Sequence, residues 1–103
     1  MPISDDQLPS LELLRCFTWL HRERHLSRAA ARAQISQPTM SRMLMRLRDT
    51  FHDPLFVRTP TGMLPTARAD EIAPRVASLH AALNRALQNL VVARRAQIGR
   101  AHV

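Results

Sequence analysis

Residues 26 to 47 read LSRAAARAQISQPTMSRMLMRL. The pattern predicts a short helix, a tight turn, and a longer helix carrying polar and arginine side chains. Ser27 is expected to cap the first, roughly Arg28 to Ala33, whose alanines let another helix approach closely. Gln34 and Ile35 make the turn. Ser36 is expected to cap the second, with Pro38 in its first turn, where a missing N–H costs nothing. Met40, Leu44, Leu47 and Phe51 fall on one face and are expected in the core; Pro38, Arg42, Met45 and Asp49 fall on the opposite face. Two helices joined this closely are a common device for placing an exposed helix in the DNA major groove.

Upstream, Met1 to Pro9 is polar and proline-bounded and reads as a loose lead-in. Ser10 is a natural N-cap for a first helix over Leu11 to Arg24. Leu13, Leu14, Phe17 and Leu20 recur at helical spacing on its inner face. Trp19 lies off that stripe, as a half-buried surface residue or as part of a partner contact. Downstream, Asp53-Pro54 disfavours helix, so the reading helix should stop near His52. Leu55 to Thr59 reads as a short strand, Pro60-Thr61-Gly62 as a turn, and Met63 to Pro65 as a returning strand, a small wing. Thr66 is expected to cap a last helix running to about Arg95. In it Ile72, Val76, Leu79, Leu83, Ala86 and Leu90 alternate four and three apart, the spacing of a coiled-coil seam. Pro74 should kink this helix or delay its regular start.

The 103 residues suit one small domain, and 46% hydrophobic content provides a modest core. With one Trp and three Phe, that core must be mostly aliphatic and methionine. The formal net charge is +7, and every basic residue is arginine. A basic surplus favours an anionic partner, nucleic acid before acidic membrane. A GC-rich genome explains the lack of lysine, so the sign of the charge carries more weight than the choice of arginine. Cys16, the single cysteine, sits in an apolar helical pattern and reads as a buried small hydrophobe. No intrachain disulfide or cysteine zinc cluster can form. Neither a signal segment nor a stretch of membrane-spanning length is evident, so a cytoplasmic protein without a membrane partner is expected.

The order of helix, helix-turn-helix, wing and long helix resembles the N-terminal DNA-binding part of LysR-type transcriptional regulators. Leu14 and Phe17 match in the first helix, and Ser27-Arg28-Ala29-Ala30 opens the second. Ile35-Ser36-Gln37-Pro38-Thr39-Met40-Ser41-Arg42 is similar to the family's VSQPAVSR. Phe51-His52-Asp53-Pro54-Leu55-Phe56-Val57-Arg58 looks like its LGxPLFxR, and Pro65-Thr66 sits where the family places L-T before a linker helix. The resemblance covers about Leu11 to Leu90. Arg48 departs from it, standing where the family usually has glutamate, and Ala69 stands where many members have glycine. The resemblance implies a longer protein whose C-terminal domain, absent from these residues, would take a small-molecule effector. Ile98 to Val103 looks like a translated sequencing adapter and reads as non-native.

Residue by residue, Gln37 starts the exposed helix, where side chains enter a groove first, and its amide could pair with adenine N6 and N7. The resemblance implies the same role. Arg42 suits a guanine or a phosphate. Ser36, Thr39 and Ser41 are short enough to touch bases or phosphates, and Pro38 and Met45 could meet a thymine methyl. Ser27 and Arg28 open a helix N-terminus, which offers N–H groups and a positive dipole end to phosphate. Arg58 on the wing and Arg46 are candidate phosphate contacts; Arg46 and Arg48 read equally well as solvated. The seam from Ile72 to Leu90 is longer than a small core can cover, which favours a homodimer. The histidines are scattered without metal spacing and read as surface residues. No nucleophile elbow or Gly-rich phosphate loop supports an enzyme, and no cofactor is implied.

The expected architecture is mainly α: a flexible lead-in (1–9), a winged helix-turn-helix (10–65), a linker and dimerisation helix (66–97) and the tail (98–103). The expected function is sequence-specific binding of double-stranded DNA to regulate transcription, as a dimer. The competing expectation is a protein-interaction module that docks a partner on the amphipathic last helix, its basic charge incidental. A small hydrolase is a third and weaker one.

Overall fold

A computed structural model describes residues 8–101, with side-chain surroundings given through Val92. Its elements are α1 (Leu11–Glu23), α2 (Leu26–Ala33), α3 (Gln37–Phe51), β1 (Phe56–Thr59), β2 (Gly62–Pro65) and α4 (Ala67–Ala101). The helix-turn-helix, wing and long helix therefore form as the sequence predicts. Expectations on residues 1–7 and on 102 and 103 lie outside the described residues, as do those on side chains beyond Val92.

Local chemistry sets the boundaries. Ser10 Oγ accepts the Leu13 N–H at 3.1 Å and starts α1. Ser36 Oγ accepts the Thr39 N–H at 3.2 Å and starts α3, with Pro38 in the first turn. Thr66 Oγ1 accepts the Ala69 N–H at 3.1 Å and starts α4. Each of the first three helices ends on a non-glycine residue in the left-handed region: Arg24 (φ 51°), Gln34 (φ 60°) and His52 (φ 51°). Their N–H groups turn back onto the last helical carbonyls.

The start of α2 corrects the sequence reading. Its N-cap is His25, not Ser27: His25 Nδ1 accepts the Arg28 N–H at 3.4 Å and lies 2.9 Å from Ser27 Oγ. Ser27 is already inside the first turn, because the helix begins at Leu26, two residues earlier than the serine suggested.

Leu13, Leu14, Cys16, Phe17 and Leu20 of α1 pack with Ala29, Ala30 and Ala33 of α2 and Met40, Leu44 and Leu47 of α3. Leu55, Phe56 and Met63 seal this core from the wing side, and Ala69, Ile72 and Val76 close it from α4. Phe17 and Phe56 meet with ring centroids 5.6 Å apart. Phe51, expected in the core, is only half-buried at its rim. Trp19 is half-buried too, with the guanidinium of Arg22 5.6 Å and that of Arg32 5.5 Å from its ring centre.

The wing is an antiparallel hairpin whose register pairs Phe56 with Pro65 and Thr59 with Gly62. A two-residue loop, Pro60-Thr61, joins the strands, so Gly62 begins β2 rather than ending the turn. Helix α4 starts at Ala67, so Pro74 does not delay it. It also passes the expected end near Arg95 and runs to Ala101. Residues 93–101 are rich in alanine and arginine, good helix formers, with Gly99 the one weak position. At about 1.5 Å per residue, α4 is roughly 50 Å long, and the whole fold measures 62 × 36 × 22 Å. Beyond Val76 the helix therefore leaves its own core behind.

Candidate nucleic-acid interface

The N-terminal ends of α2 and α3 and the tip of the wing border one open cleft of about 290 Å³. His25, Ser27 and Gln37 line one side; Arg58, Pro60, Thr61 and Gly62 line the other. The helix-turn-helix brings Ser27 and Gln37 together, and the hairpin brings Arg58 opposite them. Three segments far apart in sequence thus face one space.

Along α3 the exposed side chains are Gln37, Pro38, Arg42, Met45, Arg46 and Asp49, while Met40, Leu44 and Leu47 are buried behind them. Helical periodicity makes this division: residues four and seven apart share a face. Arg42 is already positioned. Ser36 Oγ donates to Thr39 Oγ1 at 2.8 Å, and Thr39 Oγ1 accepts from Arg42 Nη2 at 3.1 Å. The hydroxyls of Ser36 and Thr39 therefore serve the cap and hold Arg42. Ser41 is half-buried on the flank of the same helix.

Among the described residues the ion pairs are Glu12–Arg15, His21–Asp70, Glu23–Arg32 and Arg68–Glu71, all on α1, α2 and α4. Arg28, Arg42, Arg46 and Arg58 are exposed and belong to none of these pairs, and the same holds for Arg22, Arg24, Arg75 and Arg85 on α1, its cap and α4. Arg42 and Arg46 thus lie on the exposed face of α3, and Arg58 lines the wing side of the cleft beside it. The start of α2 borders the same cleft through Leu26 and Ser27 and adds the positive end of its dipole.

Arg48 does something other than face solvent. Its Nε donates to the Pro54 carbonyl at 2.8 Å and its Nη2 to the Phe56 carbonyl at 2.8 Å. His25 was missed as a site residue, because histidine is not a favoured N-cap; its place just ahead of an alanine-rich helix was the available signal. The six seam residues divide. Ile72 and Val76 are buried in the chain's own core, Leu83 is half-buried, and Leu79, Ala86 and Leu90 are exposed. Leu87, Val91 and Val92, outside the predicted seam, are exposed as well. No cluster of metal-ligating side chains occurs among the described residues, and among them no helix is long and apolar enough to cross a membrane.

The comparisons agree with this geometry. Residues 11–70 match the family model described as bacterial regulatory helix-turn-helix protein, lysR family. The HTH-type transcriptional activator NahR of Pseudomonas putida is 44% identical over 79 residues, 77% of this chain and 26% of that protein. The crystal structure of the probable transcriptional regulator PA0477 from Pseudomonas aeruginosa superposes with a TM-score of 0.74 at 38% identity, covering 80% of this chain and 27% of that one. The CbnR DNA-binding domain, solved in complex with DNA, shares the fold, with a TM-score of 0.75 at 20% identity over 82% of this chain and 98% of that one. This chain thus spans about a quarter of the length of NahR and PA0477. With its model matched from the first helix through the start of the last, the chain belongs to the lysR family of bacterial regulatory helix-turn-helix proteins.

Proposed function

We propose that this chain is the DNA-binding part of a transcription regulator that reads a specific duplex sequence with α3. Gln37 enters the major groove first and pairs with a base edge, and Arg42, held by Thr39, reads a guanine or grips a phosphate. Arg28 with the start of α2, Arg46, and Arg58 on the wing grip the backbone on either side. Pro38 and Met45 supply apolar contact, and Ser41 a short polar one. The observation that carries this reading is the single cleft that joins Ser27 at the start of α2, Gln37 at the start of α3 and Arg58 on the wing, beside the exposed face of α3 that presents Arg42 and Arg46. The names of NahR and PA0477, both regulators, support it; the CbnR complex adds likeness of fold.

The working form in this reading is a homodimer through the outer part of α4. Leu79, Ala86 and Leu90 are exposed beyond the chain's own core, and an apolar helix face this long is unfavourable in water. Two reading helices would then address half-sites about one helical turn apart or a multiple of it. The chain acts as a binding protein rather than an enzyme, in the cytoplasm where its DNA lies. Any small-molecule effector is sensed by protein outside these residues.

Fluorescence anisotropy against duplexes selected by this chain from a random pool tests the reading. It predicts binding that weakens steeply with salt, by roughly 0.9 in log affinity per neutralised phosphate per decade, and loss of sequence preference in Gln37→Ala plus Arg42→Ala. Failure to select any sequence would refute it. Binding of a protein partner to α4 without DNA would favour the interaction-module reading instead.

A further inference from the structure

The link between α3 and the wing is built around an unusual turn. Leu55 is buried and has φ of 61°, a left-handed conformation that bulky side chains rarely adopt. The Phe56 N–H donates to the Pro54 carbonyl at 2.6 Å, closing a three-residue turn. A positive φ at the centre of such a turn marks the rare and strained form. Two side chains hold it from opposite ends. Asp53 Oδ2 accepts from the Leu55 N–H at 2.8 Å and from Thr66 Oγ1 at 2.8 Å. Arg48 spans the far side, with both of its donors on the carbonyls that flank Leu55.

The hairpin register explains why the arginine fits. Hydrogen-bonded and non-bonded pairs alternate along an antiparallel ladder. Counting from the Thr59–Gly62 pair that closes the two-residue loop, Phe56–Pro65 is a non-bonded pair. The Phe56 carbonyl therefore points away from β2, toward α3, and an edge carbonyl of this kind needs a donor. Arg48 supplies it from three turns along the same helix that carries Gln37 and Arg42. A guanidinium offers two donors in a rigid fork, which lysine cannot do.

We propose that Arg48 is a positioning residue for DNA binding: it locks the wing to α3, so that Arg58 and the reading helix engage one duplex together. The inference rests on the DNA-binding reading above. It goes beyond that reading by giving the position where this chain departs from the family's usual glutamate a job of its own, carried out without touching DNA. Arg58 lies two residues along β1 from Phe56 and lines the cleft opposite Gln37. Releasing Phe56 and Pro54 frees the strand from which Arg58 projects.

A double-mutant cycle tests this by anisotropy on one selected duplex, with the 103-residue chain, Arg58→Ala, Arg48→Met and the double variant. Arg58→Ala is expected to weaken binding roughly tenfold or more in the unsubstituted chain. In the Arg48→Met background it is expected to have almost no further effect, because the wing no longer holds Arg58 in place. Arg48→Lys, able to reach one carbonyl, should fall between. Equal losses from Arg58→Ala in both backgrounds would overturn the proposal and make Arg48 an independent contact. So would no loss from Arg58→Ala in the unsubstituted chain, since the wing would then carry nothing to position. A chain that binds no duplex at all would refute the DNA-binding reading instead. Should Arg48→Met not fold, NMR of the unsubstituted chain decides. The Arg48 Nε–H is expected to exchange slowly and to stay unmoved as duplex is added, while the Arg58 side chain shifts; an Arg48 signal that exchanges freely, or that moves with Arg58, overturns it.

Discussion

The backbone of Gly62 lies directly against the carbonyl oxygen of Arg24, which accepts the Met63 N–H at 2.8 Å. This contact sets the wing onto the end of α1. A Cβ at position 62 would collide with that oxygen, and the φ of 152° is itself unsuited to other residues. Gly62→Ala must therefore move the hairpin or break the bond. It is expected to destabilise the fold by about 2 kcal/mol, read as a lower urea midpoint by circular dichroism.

The histidine cap gives a second test. His25→Ala removes the acceptor for the Arg28 N–H and is expected to cost about 1 kcal/mol, whereas His25→Asn keeps a capping oxygen and should cost little. Thermal melts of the two variants should separate. Equal melts would deny His25 the capping role.

Cys16 provides a test in alkaline solution. Burial, with a smaller push from Glu12, raises its thiol pKa above the ordinary value. The folded chain then holds the thiol proton more tightly than the unfolded chain does. Its contribution to stability is complete below the ordinary thiol pKa and is lost as pH rises through the higher, folded value. The sequence contains no tyrosine and no lysine, so little else titrates in that range. Urea midpoints are expected to fall between neutral pH and pH of about 10, and Cys16→Ser, lacking an ionisable thiol, should flatten that fall. Alkylation of Cys16 should follow unfolding, because the side chain is fully buried.

The outer seam makes a fourth prediction. Leu90 is 68% exposed while Val76 is 5% exposed, on the same helix. Leu90→Asp is expected to leave the fold intact and shift sedimentation from dimer to monomer. Val76→Asp should unfold the domain by burying an unpaired charge. A monomeric unsubstituted chain at high micromolar concentration would rule out the dimer.

Much of this fold is legible in the sequence because local chemistry and burial agree there. Ser10, Ser36 and Thr66 cap the helices they were expected to cap, and the four-and-three spacing of Met40, Leu44 and Leu47 marks the buried side of α3. The same periodicity leaves Gln37 and Arg42 outward. What could not be read depends on contacts between distant residues. Arg48 looked like any arginine on a helix, because its partners are backbone carbonyls set by a turn several residues on. His25 looked like a surface histidine, because capping depends on a backbone angle that the residue type does not announce. The seam ran without a break in the sequence, yet Ile72 and Val76 belong to the domain's own core and Leu90 does not. Only the packing of α4 against α1 draws that line.

Amide NMR during titration with a selected duplex tests most directly whether the exposed side of α3 reads DNA. Signals of Gln37, Ser41 and Arg42 are predicted to move together with those of Arg28 in the first turn of α2 and Arg58 on the wing, while Leu87 and Leu90 on α4 stay in place. Movement confined to α4, or none along α3 at low salt, would contradict it.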